Sequence, residues 1–466
     1  MKLETHQLSI QYDNQIILKD VDFELESKQF ALLVGPSGCG KSTLMMALAG
    51  LYPKYGGVLS SAVTLDGLAV HSIKANQRAP QIAILFQHPE QQFAMDNVRD
   101  EMIFALENLS LAAEEIDKRI DQALQSVGIA SLQHRQLSQL SGGELQKVAL
   151  AETLALGAEI ILLDEPFAAV DPIHRRELQL VLKKLVDEGH GILVSDHDKS
   201  NYDTLITHLY HMENQQLERV ADAAWGDFFK STQQQNRVDN APFNQNIFQM
   251  QHMGLSNGNQ RILENTDLVW PKGKITLITG PNGIGKSSLL RAMAKLQAYS
   301  GDLTYQDVPL HRIKLKHHAR RVGMVFQNAS QQFLNITVAE EIEQAQQHSH
   351  RSDYWTAEVI ADAVEKLNLI GLSHHSVYEL SGGQQKKLQI LIMMIIAPET
   401  LLMDEPLAGL DEHSIHVLMS LLQYTTALLH QSIIMISHQT HNLLPYIDYH
   451  VHFDKNGLHY CQQVAS

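Results

Sequence analysis

Three short apolar runs recur in each half of the chain: FALLVG, IILLDEP and GILVSDH, then ITLITG, TLLMDEP and SIIMISH. Each ends in a polar or glycine-rich turn. Apolar runs of this length predict strands buried on both faces of a parallel sheet. Helical patterns lie between them, among them ELQKVALAETLAL and QQKKLQILIMMII. The pattern predicts an α/β fold with ligands at the carboxyl edge of the strands, where the turns sit. The longest unbroken apolar stretch, Ile390 to Ala397, falls far short of the roughly 20 residues a helix needs to cross a bilayer. Membrane association is therefore expected only through a partner. The opening MKLETHQLSIQYDNQ has no apolar core of the kind a secretory signal carries, so export is not expected.

Self-comparison shows a duplication. GPSGCGKST (Gly35 to Thr43) returns as GPNGIGKSS (Gly280 to Ser288), LSGGE (Leu140 to Glu144) as LSGGQ (Leu380 to Gln384), and LLDEP (Leu162 to Pro166) as LMDEP (Leu402 to Pro406). The spacing is kept as well as the order. Gln87 to Ser141 and Gln327 to Ser381 are both 54 residues apart, and Ser141 to Asp164 and Ser381 to Asp404 are both 23. Lys41 to Gln87 spans 46 and Lys286 to Gln327 spans 41, a short insertion in one copy. The polar run STQQQNRVDNAPFNQN separates the copies and suits a connector. The expected domains are residues 1–230 and 247–466, joined by a linker over 231–246.

Composition narrows the function classes. The 466 residues are 44% hydrophobic and 19% charged, a folded globular balance. A formal charge of −16 disfavours nonspecific nucleic-acid binding. The basic run HRIKLKHHARR leads into a strand and is read as a solvated face. Cys39 and Cys461 are too few for a metal cluster or a secreted framework, and free thiols in a reducing compartment are expected.

The repeated motifs carry phosphate chemistry. A strand ending in G-x-x-x-x-G-K-[ST] before a helix wraps backbone N–H groups around a phosphate, with the helix N-terminus aimed at the charge. This assigns a nucleotide cradle to Gly35, Ser37, Gly38, Gly40, Lys41, Ser42 and Thr43, and to Gly280, Asn282, Gly283, Gly285, Lys286, Ser287 and Ser288. Lys41 and Lys286 would reach the β and γ phosphates, and Ser42 and Ser287 would hold Mg²⁺. Asp164 and Asp404 end apolar strands, where a carboxylate suits a cation held through water. Glu165 and Glu405 follow them as candidates to polarise an attacking water, with a structural salt bridge as the competing assignment. Gln87 and Gln327 follow IAILFQ and VGMVFQ and are candidates for contact with Mg²⁺ or water. His197 and His438 lie 32 residues beyond Glu165 and 33 beyond Glu405, positions suited to a γ phosphate contact. Ser141, Gly142 and Gly143, with Ser381, Gly382, Gly383 and Gln384, open helix-prone sequence and form a second kind of anion site.

Together these motifs, with AAVD and AGLD, resemble the nucleotide-binding domains of ABC transporters, twice over nearly the whole chain. The resemblance implies two P-loop domains, each with a mainly parallel core sheet and a helical signature subdomain, that bind ATP and Mg²⁺ and hydrolyse ATP. It implies head-to-tail pairing: Lys41, Glu165 and His197 facing Ser381 and Gly383, and Lys286, Glu405 and His438 facing Ser141 and Gly143. Fusion would make that pairing intramolecular.

FQHPEQQF, NVRDEMIFALENLSL and LYPKYGG are similar to the ATPases of energy-coupling factor importers, which take up vitamins and metals. That likeness implies integral-membrane coupling and substrate-binding partners, no nucleic acid, and a place at the cytoplasmic face of the membrane. The alternative is a soluble tandem ATPase acting on ribosomes or DNA, whose members usually carry long charged linkers, zinc modules or coiled coils. Tyr12 is placed to stack on adenine, but Asn257 stands 245 residues later. Glu144 replaces the glutamine of the other signature. Two competent but unequal sites are expected, with adenine held less well in the half containing Lys286.

Overall fold

The computed structural model describes residues 1–12, 15–36, 38–54, 56–86, 92–167, 170, 172–196, 199–229, 245–257, 260–437 and 443–461, with side chains 172, 173, 227, 257 and 260 excepted. Ser37, Gln87, His197, His438 and most of the polar connector lie outside the described residues. The chain divides into two compact units, Met1–Gln233 and Gln234–Ser466.

In the first unit, six strands form the central sheet in the order Gln216–Arg219, His208–Glu213, Phe30–Val34, Gly191–Ser195, Ile160–Asp164, Ile82–Leu85. All pairs are parallel except the first. Every residue of Phe30–Val34, Ile160–Asp164 and Gly191–Ser195 is buried, because each strand feeds two cores. Leu33, Leu162 and Leu193 pack with Leu44 and Leu48 of the helix Lys41–Leu48. Leu32, Ile161 and Val194 point the other way, into helices Val98–Glu107, Ala113–Ser126 and Gly142–Ala155. This period-2 division is why the runs read as continuously apolar. Fully burying each such side chain contributes about 1.5–3 kcal/mol.

The second unit repeats the plan with Val322–Val325, Thr400–Asp404, Ser432–Ile436, Ile275–Thr279, Tyr449–Asp454 and Gly457–Tyr460. All six apolar runs are strands of these two central sheets.

Each unit also carries an antiparallel sheet that the apolar runs did not predict. Lys2–Tyr12 pairs with Gln15–Glu26, and Asn246–Asn257 pairs with Gln260–Pro271. Its signal was alternation: Leu3, Leu8 and Ile10 are fully buried while their neighbours face outward. The sheet covers one face of the central sheet and packs on the helix that opens at the glycine-rich turn. Neither Cys39 nor Cys461 is in a disulfide.

Candidate nucleotide site

The two glycine-rich turns have the same local geometry. Gly40 and Gly285 precede helices Lys41–Leu48 and Lys286–Met293 at φ 108° and 110°, a left-handed conformation that favours glycine. Gly35 and Gly280 are required for a different reason: a Cβ at Gly35 would lie 2.2 Å from the Met212 carbonyl oxygen, and one at Gly280 2.1 Å from that of Phe453. The turn is thus pressed against the neighbouring strand. Beside Gly38 and Gly283 there is open space instead, the room a phosphate needs for close approach to backbone.

Lys41 Nζ donates to the carbonyls of Gly35 at 2.8 Å and Pro36 at 3.0 Å, and Lys286 does the same to Gly280 at 2.8 Å and Pro281 at 3.0 Å. Each lysine is 6% exposed and folds over its own turn. Its ammonium is therefore held where an anion in the turn would meet it.

The carboxylates sit at the adjoining strand ends. Asp164 and Asp404 are each 4% exposed. Burial pushes both carboxyls above their ordinary value; the charges of Glu165 and Glu405 add to this, and the Ser42 and Ser287 hydroxyls oppose it. Ser287 Oγ donates to Asp404 Oδ1 at 3.0 Å. Asp164 Oδ1 is buried with no hydrogen-bond partner among the described residues. An orphaned carboxylate oxygen beside a hydroxyl is a donor set that fits a hard divalent cation. Among the described residues no cluster of three or more His, Cys, Asp or Glu side chains forms a closed metal site.

Glu165 and Glu405 both take left-handed backbone, φ 50° and 48°. A non-glycine residue in that region costs on the order of 1–3 kcal/mol. The amides of both are anchored, Glu165 N–H to Ser195 O at 2.9 Å and Glu405 N–H to Ile436 O at 3.2 Å. These bonds tie the glutamate turn to the strand that precedes His197 or His438.

The signature segments form helix caps. Ser381 accepts from Gln384 N–H at 3.3 Å while Ser381 N–H donates to Gln384 Oε1 at 2.9 Å, a capping box. Ser141 and Glu144 form the same box, but here the serine hydroxyl also donates to the Glu144 carboxylate at 2.7 Å. The sequence difference at Glu144 thus reaches the serine itself.

Tyr12 packs edge-on against Tyr52, ring centres 5.6 Å apart. The chain at Asn257 continues the matching strand of the second unit. Gln327 is exposed.

Two residues escaped the sequence analysis. Gln146 Nε2 donates to the Glu165 carbonyl at 3.2 Å, and Lys386 Nζ donates to the carbonyls of Glu405 at 3.3 Å and of Gln327. Burial lowers the Lys386 ammonium to about 8, against the raising effect of the Glu405 and Asp404 charges. The available signal was a polar residue five places after each signature serine, in helices whose inward positions are mostly apolar.

Comparison with known proteins places this geometry. The family model described as ABC transporter matches residues 18–168 and 263–408. YkoD of Bacillus subtilis (strain 168), provisionally named an HMP/thiamine import ATP-binding protein, is 32% identical over 96% of this chain and 88% of its own. A provisionally named ABC transporter ATP-binding protein of Streptococcus mutans serotype c (strain ATCC 700610 / UA159) is 28% identical over 96% of this chain and 88% of its own. Among solved structures, RNase-L Inhibitor aligns with TM-score 0.66 at 18% identity, covering 96% of this chain and 87% of its own, a likeness of fold. Among the described residues no helix is long and apolar enough to cross a membrane. Two matched copies, each with its glycine-rich turn, strand-end Asp–Glu pair and capped signature helix, make this chain a tandem ATP-binding protein of the ABC transporter family, an ATPase whose kind works with membrane transporter subunits.

Proposed function

We propose that this chain is the energy-coupling ATPase of an energy-coupling factor importer, held peripherally at the cytoplasmic face of the membrane by integral-membrane partners. The observation that carries this is the complete duplicate of the hydrolytic set, with likeness to YkoD across nearly the full chain. Its name makes HMP or thiamine the first cargo to test within the wider class of vitamins and metal ions. Residues 1–230 and 247–466 act as the two ATPase domains, and residues 231–246 tether them.

In this reading the halves meet head to tail. ATP cradled at Lys41 is closed over by Ser381 and Gly383, and ATP cradled at Lys286 by Ser141 and Gly143. Glu165 and Glu405 orient the attacking water, His197 and His438 contact the γ phosphate, and Tyr12 stacks on adenine. Ser42, Asp164 and Gln87, with Ser287, Asp404 and Gln327, would hold Mg²⁺, which when bound neutralises phosphate charge. Loss of the γ phosphate removes the bridge to the opposing serine, so the closed state loses its preference and the halves part.

Membrane partners take up that motion beside the glutamine segments. Leu334 and Ile336, 80% and 68% exposed, lie a few residues beyond Gln327. Exposed apolar side chains there suit a docking face.

Two measurements test the reading. Purification from detergent-solubilised membranes is expected to recover small integral-membrane proteins with the chain; recovery of ribosomes alone would favour the soluble alternative. In a Glu165→Gln, Glu405→Gln chain, Cys39 in the Lys41 turn and a cysteine placed at the exposed Tyr378, three residues before Ser381, are expected to be bridged by a bifunctional thiol reagent only with ATP. ATP-independent or absent crosslinking overturns the head-to-tail arrangement.

A further inference from the structure

Besides the exchange of Gln146 for Lys386, the two units differ at a second buried place beside the glutamate turn. In the first unit Arg175 Nη2 donates to Asp196 Oδ2 at 3.1 Å, and the Tyr202 hydroxyl donates to the same oxygen at 2.9 Å. The guanidinium lies 5.8 Å from the Phe167 ring centre and 5.7 Å from that of Tyr202. All four side chains are buried.

Their chain positions matter. Phe167 is two residues after Glu165, and Asp196 immediately precedes His197. Arg175 belongs to the helix Pro172–Glu188. Two more bonds run from that helix to the chain beyond His197: Arg176 Nη1 to Asn201 O at 3.1 Å and Gln179 Nε2 to Ser200 O at 3.0 Å. One helix therefore grips the chain on both sides of His197 and touches the turn that carries Glu165.

At the corresponding positions the second unit has Leu407, Ile415, Ser437 and Leu443, all buried as well. The same fold thus closes here with a nearly apolar set. A buried ion pair seldom stabilises more than well-packed apolar residues of similar volume, because both charges must be desolvated. What the Arg fork adds is fixed direction. Stability alone does not account for the polar set in the first unit.

We propose that Arg175, Asp196 and Tyr202 are positioning residues that hold the His197 segment in register with the Glu165 turn, so that the first unit's hydrolytic step runs from an Arg–Asp–Tyr mount in place of which the second unit has Ile415, Ser437 and Leu443. The inference rests on the role given above to His197.

The test uses the full chain in a Glu405→Gln background, so that turnover reports Glu165. The second unit's residues are transplanted as Arg175→Ile, Asp196→Ser and Tyr202→Leu. Asp196→Ser alone leaves a buried guanidinium without its carboxylate and is expected to lower the thermal midpoint sharply; the triple exchange is expected to recover it. The triple variant's kcat is expected to stay down by about tenfold, the worth of one charge-assisted hydrogen bond, with KM for ATP unchanged. Parental kcat in a stable triple variant overturns the proposal.

If the triple variant does not fold, Tyr202→Phe keeps the ring and removes one donor. A loss of about two- to fivefold in kcat at constant KM supports the mount, and parental kcat overturns it. His197→Ala in the same background separates the two readings. Retained turnover there removes the role of His197 itself, whereas its loss beside an unaffected triple variant removes only the mount.

Discussion

Ser287 Oγ donates to Asp404 Oδ1 at 3.0 Å, joining the first turn of the helix after one glycine-rich loop to a strand end 117 residues away. The bond places a hydroxyl and a carboxylate oxygen side by side in a pocket where burial already pushes the Asp404 carboxyl above its ordinary value. Removing the hydroxyl takes away a hydrogen bond that lowers the Asp404 carboxyl. Ser287→Ala is expected to cost about ten- to a hundredfold in turnover measured in a Glu165→Gln background, the range of a hydrogen bond to a charged group. Nucleotide-dependent Mn²⁺ binding, followed by paramagnetic resonance, is expected to weaken in parallel. Unchanged Mn²⁺ binding would separate Ser287 from the cation.

The hydroxyl of Ser141 is already engaged by the Glu144 carboxylate at 2.7 Å. A phosphate brought to that serine must displace the carboxylate and meet its charge near the helix N-terminus. Glu144→Gln reproduces the second signature, in which Ser381 and Gln384 form the same box without the negative charge. The variant is expected to lower the ATP concentration for half-maximal turnover at the Lys286 site by about two- to tenfold, an effect that shrinks with salt. Ser141→Ala is expected to lose that turnover. An unchanged ATP requirement in Glu144→Gln would assign the carboxylate to capping alone.

Gly280 shows how little room the loop has. A Cβ there would stand 2.1 Å from the Phe453 carbonyl oxygen, and the residue holds φ 151°. Backbone must move for any side chain to fit. Gly280→Ala is expected to destabilise the second unit by roughly 1–3 kcal/mol and to weaken nucleotide binding at Lys286. Gly35→Ala, facing Met212 O at 2.2 Å, does the same in the first unit. Fluorescent-nucleotide titration with thermal unfolding checks both.

Glu152 supplies a pH dependence confined to the first unit. Burial, with the nearby Glu101 charge, raises its carboxyl from 4.5 to about 8. The folded form then holds a proton that the unfolded chain releases, so stability falls as pH rises between about 4.5 and 8 and is level above that window. Ile392 occupies the corresponding place in the second unit. Glu152→Gln is expected to raise the unfolding midpoint at pH 8, at roughly 2–4 °C per kcal/mol, with little effect near pH 5. An equal shift at both pH values would point to packing rather than ionisation.

Much of this protein is legible in its sequence. The six core strands were readable because a strand feeding two cores must be apolar at every position, as Phe30–Val34 and Ile160–Asp164 are. The glycine-rich turns were readable because their constraint is local: Gly40 and Gly285 need a conformation that side chains disfavour. The kept spacing declared the duplication, and the motifs carried the resemblance to the family. The antiparallel sheets were less visible, since residues such as Leu3 and Ile10 alternate with polar neighbours that carry no motif.

Only the tertiary structure decided which buried polar groups meet. Ser287 with Asp404, Lys386 with the carbonyls of Gln327 and Glu405, and Arg175 with Asp196 are all pairings across long stretches of chain. No local pattern specifies such a partner, because it follows from which strand lies beside which and how far a side chain reaches. Sequence determined the chemistry that each half can hold. The packing of strands and helices decided which atoms of each half are held against one another, and there the two copies cease to be equivalent.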